Sequence, residues 1–196
     1  VVVDDPLRAL GRLARAWRER FDLPLAVVVG SNGKTTVKEM IAAALAAHHG
    51  ADAVLATKGN LNNAIGLPLT LLCLRGVHRA AVIELGMNHR GETAELAAIA
   101  KPTIAVVNNA QREHQEFMRS IDEVAAEHAD AVLALPAGGV AVINADDPRA
   151  DVWRAAAARV GARVVGFGTA QAAEVRGEVE LRATGSTLAV ATPVGT

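Results

Sequence analysis

Apolar positions along the chain alternate between short solid runs and longer stretches spaced at three and four residues. The run "LPLAVVVG" reads as a buried strand, and "KTTVKEMIAAALAAHH" behind it as a helix that Gly50 ends. "AVLAT" is a short strand, "LNNAIGLPLTLLCL" a loop entering a helix, and "RAAVIELG" a strand suited to a sheet covered on both faces. "GETAELAAIAK" is a helix, "TIAVVNN" a strand, and Ser120 to Glu123 a capping box that opens a helix through about Leu135. "GGVAVINA", "DPRADVWRAAAARVG" and "ARVVGFG" give strand, helix and strand. Upstream, Asp4 or Asp5 caps a helix entered by Pro6, with Leu7, Leu10, Leu13, Ala14 and Trp17 near helical spacing.

Alternation this regular predicts an α/β fold of P-loop type, a mostly parallel sheet with right-handed crossovers and helices on both faces. Beyond Gly168 the texture changes. "AEVRGEVELRATGSTLAVATP" alternates polar and apolar residues around "TGS", which predicts antiparallel strands added at the sheet edge near the C-terminus. "TPVG" reads as a turn that feeds another strand, and Val1–Val3 as the end of something, so a piece of a longer protein is expected.

Composition narrows the function. A formal net charge of −1 supplies no field for nucleic acid or an anionic membrane, and 3% aromatics leave few platforms for stacking bases. No apolar segment is long enough to span a bilayer and no signal peptide is read, so no membrane insertion and a cytoplasmic location are expected. The single Cys73, in "LTLLCL", is expected to be a small buried hydrophobe.

The candidate chemistry sits where strands end. In "AVVVGSNGKTTVKEM" a glycine turn precedes a lysine at a helix start, which gathers backbone N–H groups and a cation around one point, as a triphosphate requires. Gly30, Ser31, Asn32, Gly33, Lys34, Thr35 and Thr36 form this loop, with the Thr35 hydroxyl placed to reach magnesium. The usual G-x-x-x-x-G-K-[ST] spacing would need glycine at position 28, where Val28 stands, so the loop is a shorter variant.

"TKGNLNNAIGLP" brings Thr57, Asn60, Asn62 and Asn63 past a strand end, where composition alone leaves ligand binding and a plain turn both open. Glu84 ends the strand of "VIELGMNHRGE", where a buried carboxylate calls for a partner such as a metal ion. "VVNNAQREHQEF" carries His114, which spacing alone does not single out, since magnesium prefers oxygen. Asn144 and Asp146 in "INADDP" could meet adenine or ribose, while Asp147 before Pro148 could equally cap a helix. His48, His49 and His128 read as surface residues of helices, and His89 as a surface or loop histidine and not a ligand.

Taken together these clusters resemble the Mur ligases, the ATP-dependent amino-acid ligases of peptidoglycan synthesis. "GSNGKTT" is similar to that family's short phosphate loop, and "TKGNLNNAIGLPLTLL" with "VIELGMNHRGE" is most like its branch that uses D-alanyl-D-alanine. The resemblance implies that residues 1–24 end an N-terminal domain with its connecting helix, and 25–196 form an incomplete central ATP-binding domain. It implies ATP and Mg2+ as cofactors, UDP-N-acetylmuramoyl-tripeptide and D-alanyl-D-alanine as substrates, and an acyl-phosphate mechanism. Lys34 would hold the β- and γ-phosphates, and Thr35, Glu84 and His114 would meet the metal. Asn60, Asn62 and Asn63 would lie near the acyl substrate, and Asn144 and Asp146 near the nucleoside.

A monomer is expected. Many family members carry a carbamylated lysine in the helix after the histidine loop. That place falls at or near His128, and "SIDEVAAEHADAV" contains no lysine. Another Mur-type ligase, a folylpolyglutamate synthetase, or a nucleotide-binding module without turnover are the alternatives. The 196 residues alone are expected to bind ATP–magnesium weakly and not to ligate.

Overall fold

The computed structural model describes residues 2–112, 118–170, 173–193 and 195. Its helices are α1 (Pro6–Arg18), α2 (Lys34–His49), α3 (Gly66–Leu71), α4 (Glu92–Ala100), α5 (Ile121–Leu133) and α6 (Ala150–Val160). Its strands are β1 (Leu25–Val29), β2 (Val54–Ala56), β3 (Ala80–Glu84), β4 (Ile104–Val107), β5 (Val140–Asn144), β6 (Arg163–Gly168), β7 (Val175–Arg182) and β8 (Gly185–Ala191). One eight-stranded sheet runs in the order β2-β3-β1-β4-β5-β6-β7-β8. Every pairing is parallel except that of β7 with β8. The antiparallel addition therefore stands at the edge, as its alternating sequence predicts, and β7 continues the parallel sheet beside β6.

Two apolar layers cover the sheet. Val28, Val82 and Val106 point to one face, where Val37, Ile41 and Leu45 of α2 pack on them. Val27, Val29, Ile83, Ala105, Val107 and Ile143 point to the other, under helices that include α4, α5 and α6. Such two-sided cover explains why β1 and β3 are solid apolar runs, buried at every residue. In β5 burial alternates, because cover on the α2 side thins there. Trp153 of α6, fully buried, fills the gap to α5 and donates its indole N–H to the Ala125 carbonyl at 2.9 Å.

Local chemistry sets the helix ends. Asp5 Oδ1 accepts from the Arg8 N–H at 3.0 Å and Pro6 opens α1. On α1, however, the buried positions are Gly11, Ala14 and Arg18, whereas Leu7 and Leu13 remain exposed. Small residues win this face because Gly11 lies against Ile99 of α4, where an added Cβ would come within 2.9 Å. Ser120 Oγ accepts from the Glu123 N–H at 3.2 Å to cap α5, but Glu123 reaches back to the Arg119 N–H at 2.9 Å rather than to Ser120.

Other expectations are corrected. Cys73 is exposed, because α3 ends at Leu71 and the following turn carries its thiol outward to the Leu69 carbonyl at 3.4 Å. His128 is 2% exposed, because α5 packs between α4 and α6 and so has two covered faces. The hairpin turn falls at residues 183–184, with Gly185 already paired to Arg182. No helix among the described residues is long and apolar enough to cross a membrane.

Candidate phosphate and metal site

Parallel pairing brings the ends of β3, β1, β4 and β5 to one sheet edge, with Val28 opposite Glu84, Val29 opposite Val107, and Val107 opposite Ile143. Open parallel sheets bind ligands at this carboxyl edge. The glycine loop leaves β1 here. Gly30 has φ 145° and its missing Cβ would fall 2.9 Å from Asn108 Cβ, so the loop runs tight against the end of β4. Gly33 is the left-handed N-cap of α2, with φ 75° and no side-chain cap. The first-turn amides of α2 thus have no partner within the helix, at its positive end.

The β4 end straps this loop in place. Asn32 N–H donates to Asn109 Oδ1 at 2.9 Å, and the Asn32 carbonyl accepts from Asn108 Nδ2 at 2.6 Å and Asn109 Nδ2 at 3.0 Å. Ser31 Oγ accepts from the Gln111 N–H at 2.8 Å and donates to the Gln111 carbonyl at 3.2 Å. Asn144 Nδ2 extends the lattice to the Asn108 carbonyl at 2.8 Å. Lys34 curls back, its Nζ donating to the carbonyls of Gly30 at 2.5 Å and Ser31 at 3.4 Å. A polyphosphate above the loop offers that amine a charged partner in place of neutral carbonyls.

Glu84 is 3% exposed, which excludes a solvated loop acid. Its Oε2 accepts from Thr35 Oγ1 at 2.9 Å and its Oε1 from Asn62 Nδ2 at 2.8 Å. One carboxylate and one hydroxyl side by side at a helix start form an all-oxygen donor set that fits a hard cation such as Mg2+. No cluster of three or more His, Cys, Asp or Glu occurs among the described residues. Two protein oxygens suit Mg2+, which keeps waters and takes phosphate oxygens for its other positions. His114 lies outside the described residues.

The asparagine loop divides by role. Asn62 reaches Glu84, whereas Asn63 Oδ1 accepts from the N–H groups of Ile65 at 3.1 Å and Gly66 at 2.9 Å and so tethers the start of α3. Asn60 is exposed at the loop tip. Thr57 is 1% exposed and its Oγ1 accepts from the Glu84 N–H at 2.9 Å, so it holds the loop instead of facing the cleft.

Asp146 is likewise engaged by protein. The N–H groups of Thr169 at 2.6 Å and Ala170 at 2.8 Å, then the Thr169 hydroxyl at 2.8 Å, donate to it and hold its carboxyl below the ordinary range. Asp147 Oδ1 accepts from Arg149 N–H and its Oδ2 from Ala110 N–H, both at 2.8 Å, joining a local turn before α6 to the β4 loop.

Glu127 and Lys38 are among the buried charged groups that the sequence alone did not single out. Glu127 of α5, 6% exposed, accepts from the N–H groups of Gly91 and Thr93, both at 2.9 Å, and so caps α4 from a neighbouring helix. Burial, then the nearby Glu127 charge, pushes the Asp130 carboxyl up. Lys38 of α2 is fully buried. Its signal was present: a charged residue in step with Lys34, Ile41 and Leu45 on the stripe that meets the sheet. Glu127 had none, because its partners are backbone amides more than thirty positions away.

Known proteins share this sequence and fold. The chain is 44% identical over 156 residues to the UDP-N-acetylmuramoyl-tripeptide–D-alanyl-D-alanine ligase of Haemophilus influenzae, covering 79% of this chain and 34% of that protein. With the Escherichia coli enzyme of the same name it shares 42% over 147 residues, 75% of this chain and 32% of the relative. The chain thus spans about a third of the length of these curated relatives. A crystal structure of MurF from Acinetobacter baumannii superimposes with a TM-score of 0.91 at 32% identity, over 100% of this chain and 42% of the other. MurF from Thermotoga maritima in complex with ADP gives 0.86 at 26%, covering 98% and 43%. Folylpolyglutamate synthase of Mycobacterium tuberculosis, complexed with ADP and AMPPCP, gives 0.74 at 18%, over 94% of this chain and 51% of the other, a likeness of fold. The model of the Mur ligase middle domain matches residues 28–195, and the chain belongs to the Mur ligase family.

Proposed function

We propose that this chain is the ATP-binding core of a ligase that joins D-alanyl-D-alanine to UDP-N-acetylmuramoyl-tripeptide. The observation that carries the reading is the Thr35–Glu84 pair, 2.9 Å apart beside the uncapped start of α2 at the carboxyl edge of the sheet. The names of the relatives, and the ADP bound by the T. maritima protein, support the same direction.

Each residue has a task in this reading. Amides of Gly33 to Thr36 cradle the β-phosphate, and Lys34 Nζ leaves the Gly30 carbonyl to bridge β- and γ-phosphates. Thr35 Oγ1 and Glu84 hold Mg2+, with His114 as the further metal-associated residue. Bound there, Mg2+ neutralises charge on the transferring phosphoryl group. Asn62, fixed by Glu84, and Asn60 at the loop tip face the acyl substrate, and Asn144 lies on the nucleoside side. The tripeptide carboxylate takes the γ-phosphoryl and releases ADP. The amine of D-alanyl-D-alanine then attacks the acyl phosphate, and phosphate leaves the tetrahedral intermediate. Positioning and charge neutralisation do most of this work, which suits a site built on a rigid sheet edge.

Steady-state phosphate release in the full-length ligase, with D-alanyl-D-alanine compared with single amino acids and glutamate, tests the reading. Turnover with the dipeptide alone is expected. Turnover with glutamate would favour the folylpolyglutamate synthetase reading, which so far has the shared fold as its support.

A further inference from the structure

Lys38 is a buried amine that the phosphate and metal chemistry leaves unused. It is 0% exposed, one turn beyond Lys34 on the face of α2 that meets β2 and β3. Its Nζ donates to the Thr57 carbonyl at 2.8 Å and to Glu39 Oε1. Thr57, itself 1% exposed, donates its N–H to the Val82 carbonyl at 3.1 Å and accepts the Glu84 N–H on Oγ1 at 2.9 Å. Glu84 then returns to α2 through Thr35 and to the asparagine loop through Asn62. Hydrogen bonds link Lys38 to Thr57, Thr57 to Glu84 and Glu84 to Thr35, and the backbone of α2 from Thr35 to Lys38 closes the loop.

An amine placed here is a poor way to gain stability. Removing an ammonium from water costs about what a carbonyl and one carboxylate return. What the amine supplies is a fixed length. Without it, the Thr57 carbonyl is a buried acceptor at the point where the chain leaves β2, an edge strand of three residues, for the asparagine loop. With it, that point is tied to α2 at a second place, one turn from Thr35.

We infer that Lys38 is a positioning residue: through Thr57 it sets Glu84 and Asn62 at the height where Glu84 and Thr35 share one cation. The inference rests on the function proposed above and adds to it a residue that touches neither nucleotide nor metal.

The test uses the full-length ligase carrying Lys38→Met, which keeps the stem and deletes the donors, and Thr57→Val, which keeps the carbonyl and deletes the hydroxyl. Mn2+ affinity in the presence of ADP, ADP affinity in EDTA, kcat for amide formation and Tm are measured for each. Groups that orient metal ligands typically contribute about 10–100-fold to affinity or activity. Both variants are therefore expected to bind Mn2+ about 10-fold more weakly and to lose about 10–100-fold in kcat, with ADP affinity in EDTA within about two-fold of wild type. In Lys38→Met the relieved burial of the amine offsets the unpaired Thr57 carbonyl, so Tm is expected within a few degrees of wild type, and a loss of Mn2+ affinity with Tm and metal-free ADP binding kept is what a merely structural role would not produce. Wild-type Mn2+ affinity in Lys38→Met would overturn the inference whatever Thr57→Val does, as would a parallel loss of Tm, metal-free ADP binding and activity. Should Lys38→Met fail to fold, Lys38→Leu, which also deletes the donors, decides by the same readings. If the wild-type enzyme itself takes up no Mn2+ with ADP, the proposed function has failed, a result distinct from variants that match a competent wild type.

Discussion

Replacing Glu84 by glutamine separates the fold from the chemistry at a single atom. The side chain is 3% exposed and accepts two hydrogen bonds, from Thr35 Oγ1 at 2.9 Å and Asn62 Nδ2 at 2.8 Å. Glutamine preserves both: its Oε1 takes the Asn62 amide, and its Nε2 donates to Thr35, whose hydroxyl rotates to accept. Each bond loses its charge assistance, about 1 kcal/mol apiece. Burying an amide instead of a carboxylate offsets that loss, since desolvating the ion costs several kcal/mol. The net change is about 1 kcal/mol or less, a Tm shift of about 2–4 °C for a chain of this size. The backbone bond from Glu84 N–H to Thr57 is untouched.

The cation reads the same substitution very differently. At an effective dielectric of about 20, a carboxylate and a divalent ion about 3 Å apart attract by on the order of 10 kcal/mol. An amide dipole and a retained water recover most of it. A loss of about 100-fold in metal affinity, about 2.7 kcal/mol, is the expected remainder. Calorimetric titration of Mn2+ into the ADP-bound full-length enzyme, beside a melting curve by circular dichroism, measures both numbers. A folded Glu84→Gln enzyme that binds Mn2+ within about two-fold of wild type would refute the assignment of Glu84 to the metal. A variant that unfolds would refute the compensation argued from its hydrogen bonds.

Three further outcomes follow from other parts of the structure. Lys34→Ala should abolish ADP binding by calorimetry yet leave the melting temperature within about 2 °C, since its amine contacts loop carbonyls and not core. Trp153→Ala should cost about 3–5 kcal/mol in urea unfolding, because removing the fully buried indole leaves a cavity between α6 and α5. Asp146, whose folded carboxyl is depressed by Thr169 and Ala170, contributes stability that is present above the ordinary aspartate range and lost as pH falls through its lowered value. Asp146→Asn should therefore flatten that acidic limb of the stability–pH curve, and an unchanged limb would contradict the clasp between β5 and β6.

The fold was legible because its elements are locally consistent. Solid runs such as Leu25–Val29 and Ala80–Glu84 announced strands buried on both faces, and Asp5, Gly50 and Ser120 marked helix ends that the structure keeps. The candidate site was legible where its residues follow chain order, as in the glycine loop and its lysine between β1 and α2. What escaped depends on packing between distant elements. Periodicity could not show that α5 has two covered faces, which buries His128, or that Glu127 caps α4. Composition could not divide the asparagines, because only contact shows Asn62 meeting Glu84 while Asn63 tethers its own helix. Thr57 looked like a ligand for its place after a strand, and its hydroxyl is instead used up by the backbone of Glu84.

The most direct measurement is a crystal structure of the full-length enzyme with Mn2+ and AMPPCP, using the anomalous signal of manganese to locate the ion. The account predicts a peak about 2.1 Å from both Thr35 Oγ1 and a Glu84 oxygen, with the β-phosphate on the amides of Gly33 to Thr36 and Lys34 Nζ turned away from Gly30 towards the β- and γ-phosphates. A peak elsewhere, or a nucleotide bound away from the start of α2, would contradict it.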